Sequence, residues 1–302
     1  MKGYYDIVGD GGSRVLEQVA EQRALIAESL AGVRHVVAVS SGKGGVGKST
    51  LTQHLAGVLR ARGLRIAILD ADFNGPSQAR MAGVQQAVFA PGSHKVALPR
   101  TATGIGVFST GSLIPESEAL EFESVSHGES HTWRATREFA LLGEILGAFD
   151  WGELDLLLVD LPPGSERTVQ YADFFGSLLD PQVGRLKPAP AFLLVTIPSE
   201  VSRGVVARSI AALSKRSTRM LGYVENMSGY YCRDCDAIKP LFASLDTVNL
   251  GIPCLGTVPF DPELARHCDL GIPFESLRDS AAGRSLEQVA HRLLDTLEEP
   301  RS

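Results

Sequence analysis

A mostly parallel β-sheet flanked by helices on both faces is the fold class this sequence predicts. Three observations predict it. Short apolar runs alternate with stretches of helical periodicity from His35 onward. The runs are near-continuous in Val, Ile and Leu, as strands covered on both faces should be. Apolar residues make up 44% of the 302 residues and charged residues 21%, a globular balance in a chain long enough to bury a large core. No internal repeat or low-complexity linker divides the alternation. One domain over residues 34–302 is therefore expected, behind an N-terminal amphipathic helical extension at 1–33.

That extension comes first. Gly11-Gly12 breaks the chain and Ser13 offers an N-cap. Val15, Leu16, Val19, Leu25, Ile26 and Leu30 then recur at helical spacing, with Glu17, Glu21, Arg23 and Glu28 on other faces. Such a helix needs a partner surface, in the first place its own domain. Strands are expected at Val36–Val39, Arg65–Leu69, Ile105–Phe108, Asp155–Val159, Phe192–Ile197, Leu221–Val224 and Cys254–Val258. Helices are expected at Thr50–Arg62, Thr136–Phe149, Arg203–Lys215 and Leu286–Leu297. The alternation implies right-handed crossovers. Two segments interrupt it: Ser112–Thr132, with five Glu, no Lys or Arg, and His127 and His131, and Asp180–Pro190, with three prolines. Both read as surface excursions, the first also as a candidate lid or partner-binding segment.

Composition excludes several function classes. With 29 basic against 35 acidic residues the formal net charge is −6, which argues against a dedicated nucleic-acid binder. No apolar run approaches the roughly 18 residues of a membrane span. No secretory pattern follows Met1-Lys2. The four cysteines all lie after residue 231, unlike a disulfide framework. A cytoplasmic protein that binds neither nucleic acid nor membrane is the expectation.

The strongest motif is Gly42-Lys43-Gly44-Gly45-Val46-Gly47-Lys48-Ser49-Thr50. It satisfies G-x-x-x-x-G-K-[ST] between a predicted strand and a predicted helix. Glycines let successive N–H groups converge on phosphate oxygens, and the helix N-terminus adds dipole and unpaired donors. Lys48 is the charge for the β- and γ-phosphates, Ser49 a ligand of Mg2+, and Thr50 a further phosphate donor. Strand ends face the ligand crevice in such sheets, and two strands end in aspartates. Asp70-Ala71-Asp72 offers Asp72 to orient the attacking water and Asp70 to hold the loop or act through Mg2+-bound water; helix capping is the alternative for either. Asp160-Leu161-Pro162-Pro163-Gly164 closes a Walker B-like strand, with Asp160 directed at Mg2+ and the Gly164 N–H offered to the γ-phosphate. Thr257–Asp261, with Pro259, follows the last strand and walls a base pocket.

Cys232-Arg233-Asp234-Cys235 supplies two thiolates suited to zinc or an iron–sulfur cluster. Such sites want four ligands, which two chains across a two-fold axis provide. A redox pair and the absence of any special role are the alternatives. Cys254, in an apolar strand, reads as core packing.

The phosphate loop with its extra Lys43 resembles the deviant Walker A P-loop NTPases, the MinD and ParA superfamily that includes the nitrogenase iron protein. The resemblance implies that Lys43 reaches the partner's nucleotide across a dimer interface; a solvated loop lysine is the alternative. It also implies that Asn226 hydrogen-bonds the adenine edge, a turn-forming role being its alternative. The ordered set of Ser41–Ser49, Asp70-Ala71-Asp72 with Gly75-Pro76-Ser77, Asp160–Gly164, Asn226-Met227-Ser228, Cys232-x-x-Cys235, Leu255–Pro259 and Asp269–Pro273 looks more narrowly like the Mrp/ApbC-type iron–sulfur cluster carrier ATPases. It covers about His35 to Phe274. The resemblance implies an ATP-hydrolysing homodimer that holds a 4Fe-4S cluster between two cysteine pairs for transfer to apo iron–sulfur client proteins. A MinD/ParA-like positioning or regulatory ATPase, with structural zinc at Cys232 and Cys235, is the other reading. The chain departs from the carrier pattern after Gly164, where Ser165-Glu166-Arg167 stands in place of Thr-Gly-Asp.

Overall fold

The computed structural model describes residues 15–91, 95–113, 130–178, 189–216, 218–232, 234–235, 237–242 and 250–299. The helices are α1 (Val15–Ser29), α2 (Lys48–Ala61), α3 (Gln78–Met81), α4 (Ser130–Ala148), α5 (Ser165–Ser177), α6 (Glu200–Ser214), α7 (Pro262–Leu270) and α8 (Ala281–Glu298). The strands are β1 (Val33–Ser41), β2 (Ile66–Asp70), β3 (Val96–Ala97), β4 (Gly106–Phe108), β5 (Phe149–Asp150), β6 (Leu154–Asp160), β7 (Ala191–Thr196), β8 (Arg219–Cys232), β9 (Ala237–Pro240) and β10 (Cys254–Phe260). The main sheet runs β10-β8-β7-β1-β6-β2-β4, every pair parallel, with β9 added antiparallel to β8. β3 and β5 form a small separate pair.

Period-two alternation sends the strands' side chains to two apolar layers. Val37, Val39, Ile66, Ile68, Leu156 and Leu158 face α2, α7 and α8. Val36, Ala38, Ala67, Leu69, Leu157 and Val159 face α1, α4, α5 and α6. The α1 helix packs along α4, and its Ile26, with Leu30 just past its end, is buried in the same layer as the sheet. Among the described residues no helix is long and apolar enough to cross a membrane.

Three helices, α3, α5 and α7, lie beyond the predicted set. Each interleaves polar with apolar residues and shows no apolar run. α7 is instead defined by its ends: Asp261 accepts from the Glu263 N–H at 3.0 Å, Pro262 opens the helix, and Gly271 closes it in the left-handed region. β8 outruns its predicted end at Val224 and reaches Cys232, because β9 folds back to pair with its second half. Cys254 is corrected. It opens the edge strand β10 and is exposed, while Cys268 on α7 is the buried thiol. The acidic segment's residues 114–129, including His127, and most of the proline-containing excursion lie outside the described residues.

His54 shows how tightly the α2 layer is closed. Its Nε2–H donates to the Leu264 carbonyl at 2.9 Å, and Cys268 Sγ lies 3.4 Å away. Burial is the main cause that lowers its pKa from 6.5 to about 4. Folded His54 therefore stays neutral where the unfolded chain takes a proton. The stability present above pH 6.5 falls as pH drops toward 4. Urea unfolding at pH 7 and pH 5 should show this chain losing about 2 kcal/mol more than His54→Gln does. Equal losses in the two proteins would contradict that origin.

Candidate functional site

The loop between β1 and α2 carries Gly42–Gly47 over the carboxyl edge of the sheet. Gly47 caps α2 at φ 79°, where an L side chain is strained, and an added Cβ would sit 2.3 Å from Asn226 Nδ2. Only glycine meets both demands. The first N–H groups of α2 are thus left facing outward with the positive end of the helix dipole, a ready anion site. Ser49 and Thr50 stand half-buried in that first turn, and Lys43 is half-buried in the loop.

Two buried carboxylates lie beneath the loop. The register of neighbouring strands pairs Asp70 with Asp160, and both are fully buried. Asp160 Oδ1 receives Lys48 Nζ at 2.5 Å, and Thr52 Oγ1 approaches at 3.4 Å. Lys48 also donates to Ser49 Oγ at 3.2 Å. The buried lysine is held because its charge is paired. Asp70 accepts from Ser109 Oγ at 2.8 Å, the Ser77 N–H at 2.9 Å and the Gln78 N–H at 3.0 Å. Burial, followed by the Asp160 carboxylate, still raises it to about 7. Asp72 is half-buried, accepts from the Gly75 N–H at 3.2 Å, and is raised by burial while Lys48 opposes the rise. Hence Lys48, Ser49, Asp70 and Asp160 converge, with Asp72 within their field. Their hydroxyl and carboxylate oxygens suit a hard cation such as Mg2+.

Sequence reasoning missed Gln78. Its amide nitrogen bridges Asp160 Oδ2 at 2.8 Å and the Ser49 carbonyl at 3.1 Å. The available signal was a polar residue directly after Gly75-Pro76-Ser77, where the chain turns back to the site. A second omission is the contact around Arg167. It pairs with buried Glu138 of α4 and lies over the Phe139 and Tyr171 rings. Tyr171 OH then donates to the Ala71 carbonyl at 2.8 Å, between the two aspartates. Glu166 is exposed on the first turn of α5 and does not join the carboxylates.

The Gly164 N–H donates to the Ser41 carbonyl at 2.9 Å, so in this structure it ties the segment after Asp160 to the phosphate loop. The φ of 118° there favours glycine. On the other flank, Asn226 and buried Pro259 line an open cleft of about 460 Å³ with Gly47, Thr50 and Met227. Asn226 Nδ2 donates to the Val46 carbonyl at 2.9 Å, which fastens the far side of the loop to β8.

β8 ends in the cysteine pair. Cys232 closes the strand opposite Ala237 of β9, and Cys235 sits in the intervening turn, so the motif spans a hairpin tip. The two thiols are hydrogen-bonded. That bond, then the Cys235 and Asp234 N–H groups, holds Cys232 below the usual thiol range. The same contact raises Cys235. Among the described residues no group of three or more His, Cys, Asp or Glu is placed to hold a metal. One chain thus offers two sulfur ligands at its surface.

Residues 32–294 match a ParA-family description, the NUBPL iron-transfer P-loop NTPases. The chain is 37% identical over 276 residues to the cytosolic Fe-S cluster assembly factor NUBP2 of Bos taurus, covering 88% of this chain and 94% of that protein. It is 31% identical to an iron-sulfur cluster carrier protein of Methanocaldococcus jannaschii, over 93% of this chain and 91% of the relative. Among solved structures, a nucleotide-binding protein from Archaeoglobus fulgidus in complex with ADP aligns with a TM-score of 0.67 at 30% identity, covering 84% of this chain and 93% of that one. The Pyrococcus furiosus cell division ATPase MinD, at 21% identity and a TM-score of 0.58, shares the fold over 87% of this chain and 99% of its own.

The thiol environments make an ordering testable. Brief iodoacetamide treatment of the reduced native protein should alkylate Cys232 before Cys235, because the thiolate is the nucleophile. Cys268, raised to about 12 by burial, should react only after unfolding. Peptide mass spectrometry reads the order. Labelling of Cys235 ahead of Cys232 would overturn the hydrogen-bond direction.

Proposed function

The chain belongs to the iron-transfer P-loop NTPases of the ParA family, and from that premise we propose an ATP-dependent iron–sulfur cluster carrier. In this reading it binds and slowly hydrolyses ATP in the cytoplasm. Two copies hold a 4Fe-4S cluster as cargo between their cysteine pairs and pass it to apo iron–sulfur client proteins. One observation carries the proposal: two adjacent thiols, Cys232 half-buried and Cys235 exposed, stand at the end of the strand that also fastens the phosphate loop. Two thiols are half of a cluster's ligand set, and a two-fold axis supplies the other half from the same surface.

Ordinary phosphate-loop chemistry assigns the remaining residues. The N–H groups of Gly42–Thr50 cradle the phosphates, and Lys48 exchanges Asp160 for phosphate oxygens. Ser49, Asp70 and Asp160 would hold Mg2+, directly or through water; bound Mg2+ supplies positive charge against the phosphate oxygens. Asp72 orients the attacking water from its half-buried position at the end of β2. Lys43 lies half-buried in the loop beside the exposed Gly44 and Gly45, where a second copy brings it to the partner's γ-phosphate. Asn226 and Pro259 bound the adenine side.

Five residues of β8 lie between Asn226 and Cys232, six residue steps or about 20 Å of extended chain. Movement of the loop on nucleotide binding therefore reaches the thiols through one strand. Gly164 enters through its bond to Ser41: a shift of the loop releases or tightens the segment after Asp160.

Anaerobic reconstitution with iron and sulfide should give a brown protein with about four irons per two chains, lost in Cys232→Ala. Lys48→Ala should weaken ATP binding at least about a hundredfold while cluster loading persists. Tightly bound zinc with no cluster would move the protein to the positioning or regulatory ATPase reading.

A further inference from the structure

Gln78 is fully buried at the start of α3, bonded to both Asp70 and Asp160. Its amide nitrogen donates to Asp160 Oδ2 and to the Ser49 carbonyl. A carboxylate and a carbonyl only accept, so the nitrogen must face them and the carboxamide oxygen must face elsewhere. That oxygen, Oε1, is buried with no protein partner. An unpaired buried acceptor is costly, and native structures satisfy nearly all of them. The groups fixed by the other end of the same side chain belong to Ser49 and Asp160, the two residues through which the proposed magnesium site meets the loop and the sheet.

We propose that Gln78 is a positioning residue of that magnesium site. Its nitrogen sets the spacing between the Ser49 backbone and the Asp160 carboxylate, and its Oε1 accepts a hydrogen bond from a water in the Mg2+ shell. A neutral amide suits the place. It supplies donors to Asp160 on one side and an acceptor on the other, without a third negative charge beside Asp70 and Asp160. Metal-bound water is polarised and donates strongly, so a single acceptor there strengthens metal retention. The inference rests on the Mg2+–nucleotide reading above and on nothing about the cysteine pair.

The test is equilibrium binding of a fluorescent ATP analogue to the full chain, in excess EDTA and across a Mg2+ titration. The original protein should bind more tightly with Mg2+. Gln78→Met should lose less affinity in EDTA than with Mg2+, and need about tenfold more Mg2+ for the half-maximal effect. Gln78→Glu should shift the opposite way: weaker binding in EDTA, from the added negative charge, and a steeper gain with Mg2+. That opposite sign decides the matter if Gln78→Met does not fold. A wild-type Mg2+ dependence in Gln78→Met, or an equal loss with and without Mg2+ in both variants, would overturn the role. If the original protein binds the analogue equally well with and without Mg2+, nucleotide binding stands and the Gln78 role falls. If it binds in neither condition, the nucleotide reading fails and takes this inference with it.

Discussion

The buried carboxylate of Asp160 holds the site together. It closes β6 at the centre of the sheet, with no exposure to solvent. Lys48 occupies one of its oxygens and Gln78 the other. The first contact fixes the phosphate loop and α2 to the sheet. The second fixes the turn after Asp72. A charged group this deep is tolerable only when paired, so the three segments must assemble together or leave a buried charge uncompensated. Asp70, one strand away, is restrained by Ser77, Gln78 and Ser109. The network thus spans β6, β2 and the segment after β4 while presenting Lys48 and Ser49 at the mouth of the loop.

The opposite flank works by a different contact. Asn226 is clipped to the loop at Val46, and Gly47 has no side chain because Asn226 fills that space. Beyond it Met227 takes a φ of 54°, the one positive value among described non-glycine residues. The pairing of β10 with β8 shifts register between Val258 and Phe260, alongside that residue. The pairing of β8 also shifts in its first half, against β7 at Met220–Gly222 and against β10 at Tyr223–Val224. Arg203 of α6 binds both carboxylate oxygens of Glu225 and anchors the strand just before the loop contact. Under the proposed function the anchored half reads the nucleotide side, and the half beyond Met227 carries the thiols to the surface.

Much of this was legible in the sequence, for identifiable reasons. Strands buried on both faces betray themselves as apolar runs, so the seven parallel strands could be read from Val, Ile and Leu. The phosphate loop was legible because glycine spacing, the lysine and the strand–helix context coincide. What escaped depends on pairing across distance. The hairpin of β8 and β9 is short and exposes Tyr230, Tyr231 and Ile238 beside glycine, lysine and proline, with no buried apolar run, so the true end of β8 could not be read. Cys254 was read from its apolar neighbours, yet an edge-strand terminus exposes it. Gln78 and the Glu138–Arg167–Tyr171 contact join residues 29 to 82 positions apart, and no local pattern marks them. Local sequence indicates which groups stand at a strand end; the sheet order decides which of them meet.

Under the proposed function two chains complete one inorganic centre through paired thiols. The sharpest test is native mass spectrometry of anaerobically loaded protein with ATP and Mg2+. A species of two chains carrying one cluster is expected, replaced by single chains when Cys235 is changed to Ala. A single chain retaining a complete cluster, or a dimer whose mass leaves no room for any metal centre, would contradict it.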